Sequence, residues 1–353
     1  TKANYQAALR SVTFQNTGED ATATSNSRTI TWAVTDANSD LAGAKTSVAV
    51  TSNITVTALA DAPVVTGHPS STLSYTEGND PLAIAPNLVL TDADDTQLSS
   101  ASIRITANLL ASDKLKAVTT GTSIVASYDQ DTGVLLLTGT DTVANYQAVM
   151  RSVVFSNNSA DPTAAGSKAS RTFSWSVTDA NSDNDGTQIS NAVTSNMTVI
   201  GVNAKSMINA QETSTAYTEN DPETKVNTAI TLEDVDSTYI TGASVSITTG
   251  LTTGDTLHFT NTNAITGSYN ATTGVLTLTG EASIADYQTA LRSVTFSTTS
   301  DRPTDTSTIR TVSWTVTDKD AGGSNHALST ASTSQITITP LNDKPTLTAM
   351  SGV

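Results

Sequence analysis

Apolar and polar residues alternate along most of this chain with a period of two. In Thr311-Val312-Ser313-Trp314-Thr315-Val316-Thr317, the apolar residues Val312, Trp314 and Val316 fall on one face and hydroxyl residues on the other. Ser334-Gln335-Ile336-Thr337-Ile338-Thr339 alternates in the same way. Successive side chains of a strand point to opposite faces, so this pattern predicts strands that bury one face. Tyr269-Asn270-Ala271-Thr272-Thr273-Gly274-Val275-Leu276-Thr277-Leu278 reads as a hairpin whose turn ends in glycine. Strands of about five to eight residues, separated by Asn, Asp, Gly and Ser, recur down the chain and predict a β-sandwich. One segment departs from the pattern. Ala285-Asp286-Tyr287-Gln288-Thr289-Ala290-Leu291 holds good helix formers and sets Tyr287 and Leu291 on one helical face. It predicts one or two helical turns across an open end of the sandwich.

These features repeat. The phrase Asn4-Tyr5-Gln6 through Arg10-Ser11-Val12-Thr13-Phe14 returns at Asn145 through Phe155 and at Asp286 through Phe296. Tyr5, Tyr146 and Tyr287 are each 141 residues apart. Trp32, Trp175 and Trp314 each lie in Arg-Thr-x-x-Trp-x-Val-Thr-Asp, opened by Arg28, Arg171 and Arg310. Such a period is a domain and not a solenoid unit. It divides the chain into the C-terminal half of a repeat (1–61), complete repeats at 62–203 and 204–342, and the start of another at 343–353. Residues 1–61 are expected to be a half sandwich with an exposed apolar face, cut from a longer tandem array of end-to-end domains.

Composition narrows the function. Of 353 residues, 37% are apolar, enough in this alternation to build cores, and threonine makes up about a fifth. There is no Cys, which excludes disulfide frameworks, zinc ribbons and thiol catalysis. The formal charge of −16 argues against nucleic acid as a partner, and no apolar run predicts membrane insertion. The three histidines leave little material for general-base or zinc chemistry. The chain opens on Thr1 without a signal-like segment and reads as a mature or excised piece.

The carboxylates cluster at positions that recur between copies. Glu77 with Asn79-Asp80 matches Glu219 with Asn220-Asp221. Asp92-Ala93-Asp94-Asp95 matches Asp234-Val235-Asp236. Asp36, Asp179 and Asp318 close the tryptophan phrase, and Asp61, Asn342 and Asp343 lie at the proposed linkers. Calcium takes six to eight oxygens from carboxylates, amides and carbonyls, so such groups at strand ends predict calcium ligands. An equally simple reading makes each Asp a turn former, because its side chain bonds nearby backbone. The Asp129-Gln130-Asp131-Thr132-Gly133 run is read as a turn, since its counterpart is Asn270-Ala271-Thr272-Thr273-Gly274. The tryptophans are expected to plug the core, against the alternative of a sugar platform. The arginine of Arg-Ser-Val-x-Phe is expected to pair a local carboxylate.

The arrangement resembles the cadherin family. Thr91-Asp92-Ala93-Asp94 is similar to its Asp-x-Asp element, Tyr75-Thr76-Glu77 to its glutamate near the first strand, and Asp61-Ala62-Pro63 and Asn342-Asp343-Lys344-Pro345 to its linker. The long phrases resemble the cadherin-like repeats of very large bacterial surface adhesins more closely. The resemblance implies an all-β chain of tandem Ig-like or cadherin-like β-sandwiches, each with one short helix. It implies an extracellular, cell-surface stalk stiffened by calcium, acting in adhesion or surface assembly. Its partners would be neighbouring repeats, a homo-polymer or other surface proteins. The middle joint, Gly201-Val202-Asn203-Ala204-Lys205-Ser206, departs from the linker pattern by lacking Asp and Pro and adding Lys. Lower calcium occupancy and greater flexibility are expected there.

Three function classes stand side by side. A structural module spaces or assembles at a surface. A ligand-binding adhesin domain grips carbohydrate or protein and should carry an insertion absent from its neighbour. An enzyme should carry a catalytic set, and no combination of His, Ser and carboxylate recurs apart from the seam acids. The near-equal lengths of the two repeats favour the structural module.

Overall fold

A computed structural model describes residues 1–182, 184, 186–211, 214–319 and 326–345. Part of the expected C-terminal segment, residues 346–353, lies outside them. The chain groups into two compact units. One comprises Thr1–Tyr75, Asn79–Asn157 and Ser170–Thr198; the other comprises Thr76–Gly78, Asn158–Ala169 and Val199–Val353.

Both sets of sheets follow one plan. The first six-stranded sheet runs, in spatial order, Leu73–Thr76, Val193–Ile200, Ser170–Asp179, Gln97–Ala107, Val134–Thr142 and Val125–Asp129. A three-stranded sheet of Leu82–Ala83, Val154–Asn157 and Asp113–Lys116 accompanies it, with a pair formed by Val64–Thr66 and Val89–Thr91. The second set repeats this order from Ser214–Thr218, Ser332–Thr339, Ile309–Asp318, Tyr239–Thr249, Val275–Ser283 and Thr266–Asn270. Its three-stranded sheet is Thr224–Lys225, Thr295–Thr298 and Asp255–His258, and its pair is Met207–Asn209 with Thr231–Glu233. The described residues are therefore all-β, as the alternation predicts, with three short helices among them.

The alternation explains the core. Along Ser170–Asp179 every second residue is buried: Arg171, Phe173, Trp175, Val177 and Asp179. Ile309–Asp318 does the same with Arg310, Val312, Trp314, Val316 and Asp318. Some strands reach 10 or 11 residues, longer than expected; in two of them the alternation slips by one residue, at Ser99-Ser100 and Thr241-Gly242, and then resumes. Trp175 and Trp314 are fully buried, and their indole N–H groups donate to Ser195 Oγ (3.2 Å) and Ser334 Oγ (2.9 Å). Burying an indole requires such a partner. Phe155 meets the edges of Tyr75 and Phe173, at centroid distances of 5.1 and 6.0 Å.

Residues 1–61 carry only a helix, Lys2–Arg10, and the pair Ser27–Trp32 with Val50–Thr55. Tyr5, Val12 and Phe14 are 68%, 55% and 44% exposed, whereas their counterparts Tyr146, Val153 and Phe155 are fully buried. Trp32 is half-buried.

The helix of each complete copy clamps the strand pair beside it. Val143–Arg151 is capped by Thr142, whose side chain accepts from Asn145 N, and it buries Tyr146, Val149 and Met150. Tyr146 OH donates to Gly139 O (2.7 Å). Gly139 has φ +118°, and a Cβ there would stand 2.5 Å from Ser123 O, so only glycine fits. Gln147 Oε1 accepts from Leu90 N (3.0 Å), and Arg151 Nε donates to Leu88 O (2.6 Å). Ile284–Ser293 repeats every contact: Tyr287 to Gly280 O, Gln288 with Leu232 N, and Arg292 with Ile230 O. The arginine of this phrase therefore takes a backbone carbonyl and not the expected carboxylate. The strand end beside the helix has an unpaired C=O to satisfy, and a guanidinium reaches it. The residues held, Leu88 and Leu90, lie four and two positions before Asp92.

Candidate metal centre

The strand Val89–Thr91 ends in the loop Asp92-Ala93-Asp94-Asp95. Asp92 Oδ1 accepts the backbone N–H groups of Asp94 (3.3 Å) and Asp95 (3.0 Å), which fixes a tight carboxylate-lined bend. Asp94 Oδ2 accepts the N–H of Asp61 (2.7 Å), so the incoming linker is tied to this bend. Asp95 Oδ1 accepts both the N–H and the hydroxyl of Ser182. One oxygen from each of Asp92, Asp94 and Asp95 lies within 4.8 Å of the others. Asp92 Oδ2, Asp94 Oδ1 and Asp95 Oδ2 are buried atoms with no hydrogen-bond partner, and Asp95 is only 4% exposed. Glu19, Asp61, Thr91 and Asp92 border a cleft beside the bend.

Burial pushes the Asp92 carboxyl up from 3.8 to about 6; backbone N–H donors oppose the rise and Asp94 adds to it. Asp179 is also raised, first by burial and then by the charges of Asp95 and Asp94. Asp179 is fully buried, and its oxygens accept from Asn181 N (3.2 Å) and Gln188 N (2.6 Å). Its position follows from the strand period, since it occupies the next inward place after Trp175 and Val177.

The second copy builds a related group. Asp234 Oδ1 accepts from Asp236 N (3.1 Å) and Ser237 N (2.9 Å), and its Oδ2 accepts from Ser206 Oγ (2.6 Å). Asp236 Oδ2 accepts from Ala204 N (2.7 Å). Asp318, fully buried, accepts from Asn203 Nδ2 (3.0 Å) and Ala327 N (2.7 Å) on Oδ1. Asn203 Oδ1, Asp236 Oδ1 and Asp318 Oδ2 are buried without a partner. Burial, ahead of the Asp234 charge, raises Asp236 from 3.8 to about 7.

The remaining expected ligands stand elsewhere. Glu77 Oε2 accepts from Val202 N (2.8 Å) and its own N–H donates to Ile200 O (2.8 Å). Glu219 Oε2 accepts from Leu341 N (2.7 Å) in the same manner, and Glu219 is 3% exposed. Both glutamates thus pin the outgoing segment of their copy. Asp36 is exposed and closes its own loop through Asn38 N (3.0 Å) and Lys45 N (3.3 Å). Asn342 and Asp343 are exposed just past Leu341. Asp129 caps its own hairpin, with Gly133 N donating to Asp129 O (2.9 Å), which is the expected turn.

Sequence reasoning passed over one participant, Ser182, and quoted Asp95 within the acidic phrase without singling it out as a ligand. The signal for Ser182 is that Asp179-Ala180-Asn181-Ser182 copies Asp36-Ala37-Asn38-Ser39. It also passed over a surface row in the second copy, where His258 bonds Ser297 Oγ (2.8 Å) and faces Glu223 (3.5 Å). That row does not recur, because Lys116 holds the place of His258 in the first copy.

No protein-family model matches the chain. A 106-residue segment is 37% identical to Halomucin of Haloquadratum walsbyi, covering 28% of this chain and 1% of that protein. Solved structures similar to it are cadherin extracellular domains. Protocadherin Gamma B2 domains 1–5 align with 91% of this chain and 47% of their own at 11% identity and a TM-score of 0.36. Mouse Protocadherin-24 EC1-3 aligns with 90% of this chain and 80% of its own at 16% identity and a TM-score of 0.32. No helix among the described residues is long and apolar enough to cross a membrane.

Proposed function

We propose that this chain is a run of cadherin-like repeats, bounded at 61/62, 203/204 and 342/343, that serves as a calcium-stiffened stalk of a large bacterial surface protein. The observation that carries the reading is the set of unpartnered, buried carboxylate oxygens on Asp92, Asp94 and Asp95. Buried carboxylate oxygens without donors are costly, and a hard cation satisfies several at once. Asp92, Asp94 and Asp95, with Asp61 and Asp179 beside them, would hold one cation; Asn203, Asp236 and Asp318 would hold another. When bound, calcium supplies positive charge that neutralises these groups and ties the linker backbone, already bonded through Asp61 N, to the loops of its own sandwich. Restricting that linker stiffens a tandem chain, which suits span and adhesion more than catalysis. Its partners are neighbouring repeats, further copies of the chain or other surface proteins.

The test is a calorimetric calcium titration of the calcium-free chain. Binding is expected, with one site lost in the Asp92→Asn, Asp94→Asn double variant while its circular dichroism is unchanged. Full binding by that variant defeats the assignment.

The helix clamp adds a second expectation. Arg151 holds Leu88 O, and so the strand that delivers Asp92. Arg151→Ala is expected to weaken calcium at that loop by about tenfold, as for other residues that orient metal ligands. Calorimetry of the variant checks this, and an unchanged affinity contradicts it.

A further inference from the structure

The two acidic bends differ at several places that strand register makes equivalent. Val64 pairs with Thr91, and Met207 with Glu233, so Pro63 and Ser206 each immediately precede the matched strand. Asp61 N and Ala204 N make the same bond to the second Asp of each bend, at 2.7 Å in both. Ala60 therefore corresponds to Asn203, and Asp95 to Ser237.

Each difference changes the oxygens available to a cation. Ser206 Oγ caps Asp234 Oδ2 at 2.6 Å, whereas Pro63 has no side-chain donor and the equivalent Asp92 Oδ2 is unpartnered. Ser237 brings no carboxylate where Asp95 does, and its hydroxyl is committed to Lys319 O. Asn203 adds an amide oxygen, which is neutral. The first bend thus offers free oxygens from three carboxylates, Asp92, Asp94 and the buried Asp95. Among the described residues, the second offers them from two, Asp236 and the fully buried Asp318, plus one amide. Lys205, exposed, stands where the first copy has Ala62 and adds opposing charge.

Calcium affinity is set by ligand charge count and by how far the site is preformed. From these differences we infer that the two sites load in order: the Asp92-Asp94-Asp95 site fills first, and the Asn203-Asp236-Asp318 site fills only at higher calcium. The inference rests on the calcium reading above. Across the interval between the two affinities, one linker is fixed while the other is free, so the chain responds to calcium in steps. Pro63, Asp95, Ser206 and Ser237 are the residues that set the interval.

The experiment is a calcium titration of the full chain by calorimetry, with native mass spectrometry to count bound ions. The wild type is expected to show two classes at least about tenfold apart. Asp95→Ser should remove or weaken the tighter class alone, and Asp236→Asn the weaker class alone. The Ser206→Pro, Ser237→Asp double variant should tighten the weaker class and close most of the gap. This gain of affinity does not depend on a variant that damages the fold. Classes of equal affinity, or loss of the tighter class in Asp236→Asn, overturn the loading order while leaving calcium binding intact. Absence of binding in the wild type overturns the calcium reading and the order together.

Discussion

Replacing Asp113 with alanine is expected to lower the stability of the chain by about 3–5 kcal/mol. Asp113 Oδ2 lies 2.6 Å from Arg171 Nε, Oδ1 lies 3.0 Å from Nη2, and both side chains are fully buried. Asn157 Nδ2 completes the carboxylate at 2.7 Å, and Tyr75 OH bridges to the Asn157 backbone. Removing the carboxylate leaves a guanidinium in the core, and arginine cannot shed its proton to escape. Asp255→Ala should cost a similar amount, because Asp255 and Arg310 are equally buried and 2.6 Å apart. Arg28, the third member of the phrase, is half-buried and bonds only nearby carbonyls, so Arg28→Ala should cost about 1 kcal/mol, well below Asp113→Ala. Denaturant unfolding measures all three. A loss below about 1 kcal/mol for Asp113→Ala, as for an exposed pair, would contradict the buried-pair assignment.

In calcium-free buffer, stability is expected to fall as pH rises from about 4 to about 7. Asp92 and Asp236 have folded values raised from 3.8 to about 6 and about 7, so the folded state holds protons that the unfolded state has released across this window. Stability falls with pH wherever the folded state binds more protons. Above both folded values the loss is complete. Saturating calcium should flatten the profile, because the cation replaces the proton, and binding should release protons into the buffer. Thermal melts at several pH values, with and without calcium, measure this. A calcium-free profile that rises through the window would contradict the raised values.

Much of this fold was legible because period-two alternation and turn residues act locally. The strand from Thr311 to Thr317, the hairpin closing at Gly274 and the helix around Tyr287 could each be read from adjacent residues. The limits came from contacts distant in sequence. Asp113 gives no local sign that it meets Arg171 58 residues later. Arg151 looked like a carboxylate partner because no sequence pattern marks the Leu88 carbonyl 63 residues before it. The bend at Asp92 was visible as a repeated acidic phrase. Which of its oxygens are free depends on Pro63 and on a hydroxyl at Ser182, both brought in by the fold. Glu77 and Glu219 were grouped with the bends by residue type, whereas backbone N–H groups of the outgoing segments engage them.

Thermal unfolding of the chain in chelator and again in millimolar calcium tests the role of the acidic bends most directly. Ligand that binds only the folded state stabilises by RT ln(1 + [L]/Kd), about 4 kcal/mol at a thousandfold excess over Kd. The melting temperature is therefore expected to rise by several degrees in calcium, and the Asp92→Asn, Asp94→Asn, Asp236→Asn triple variant should lose most of that rise. Superimposable curves for the wild type in chelator and in calcium would contradict a cation at either bend.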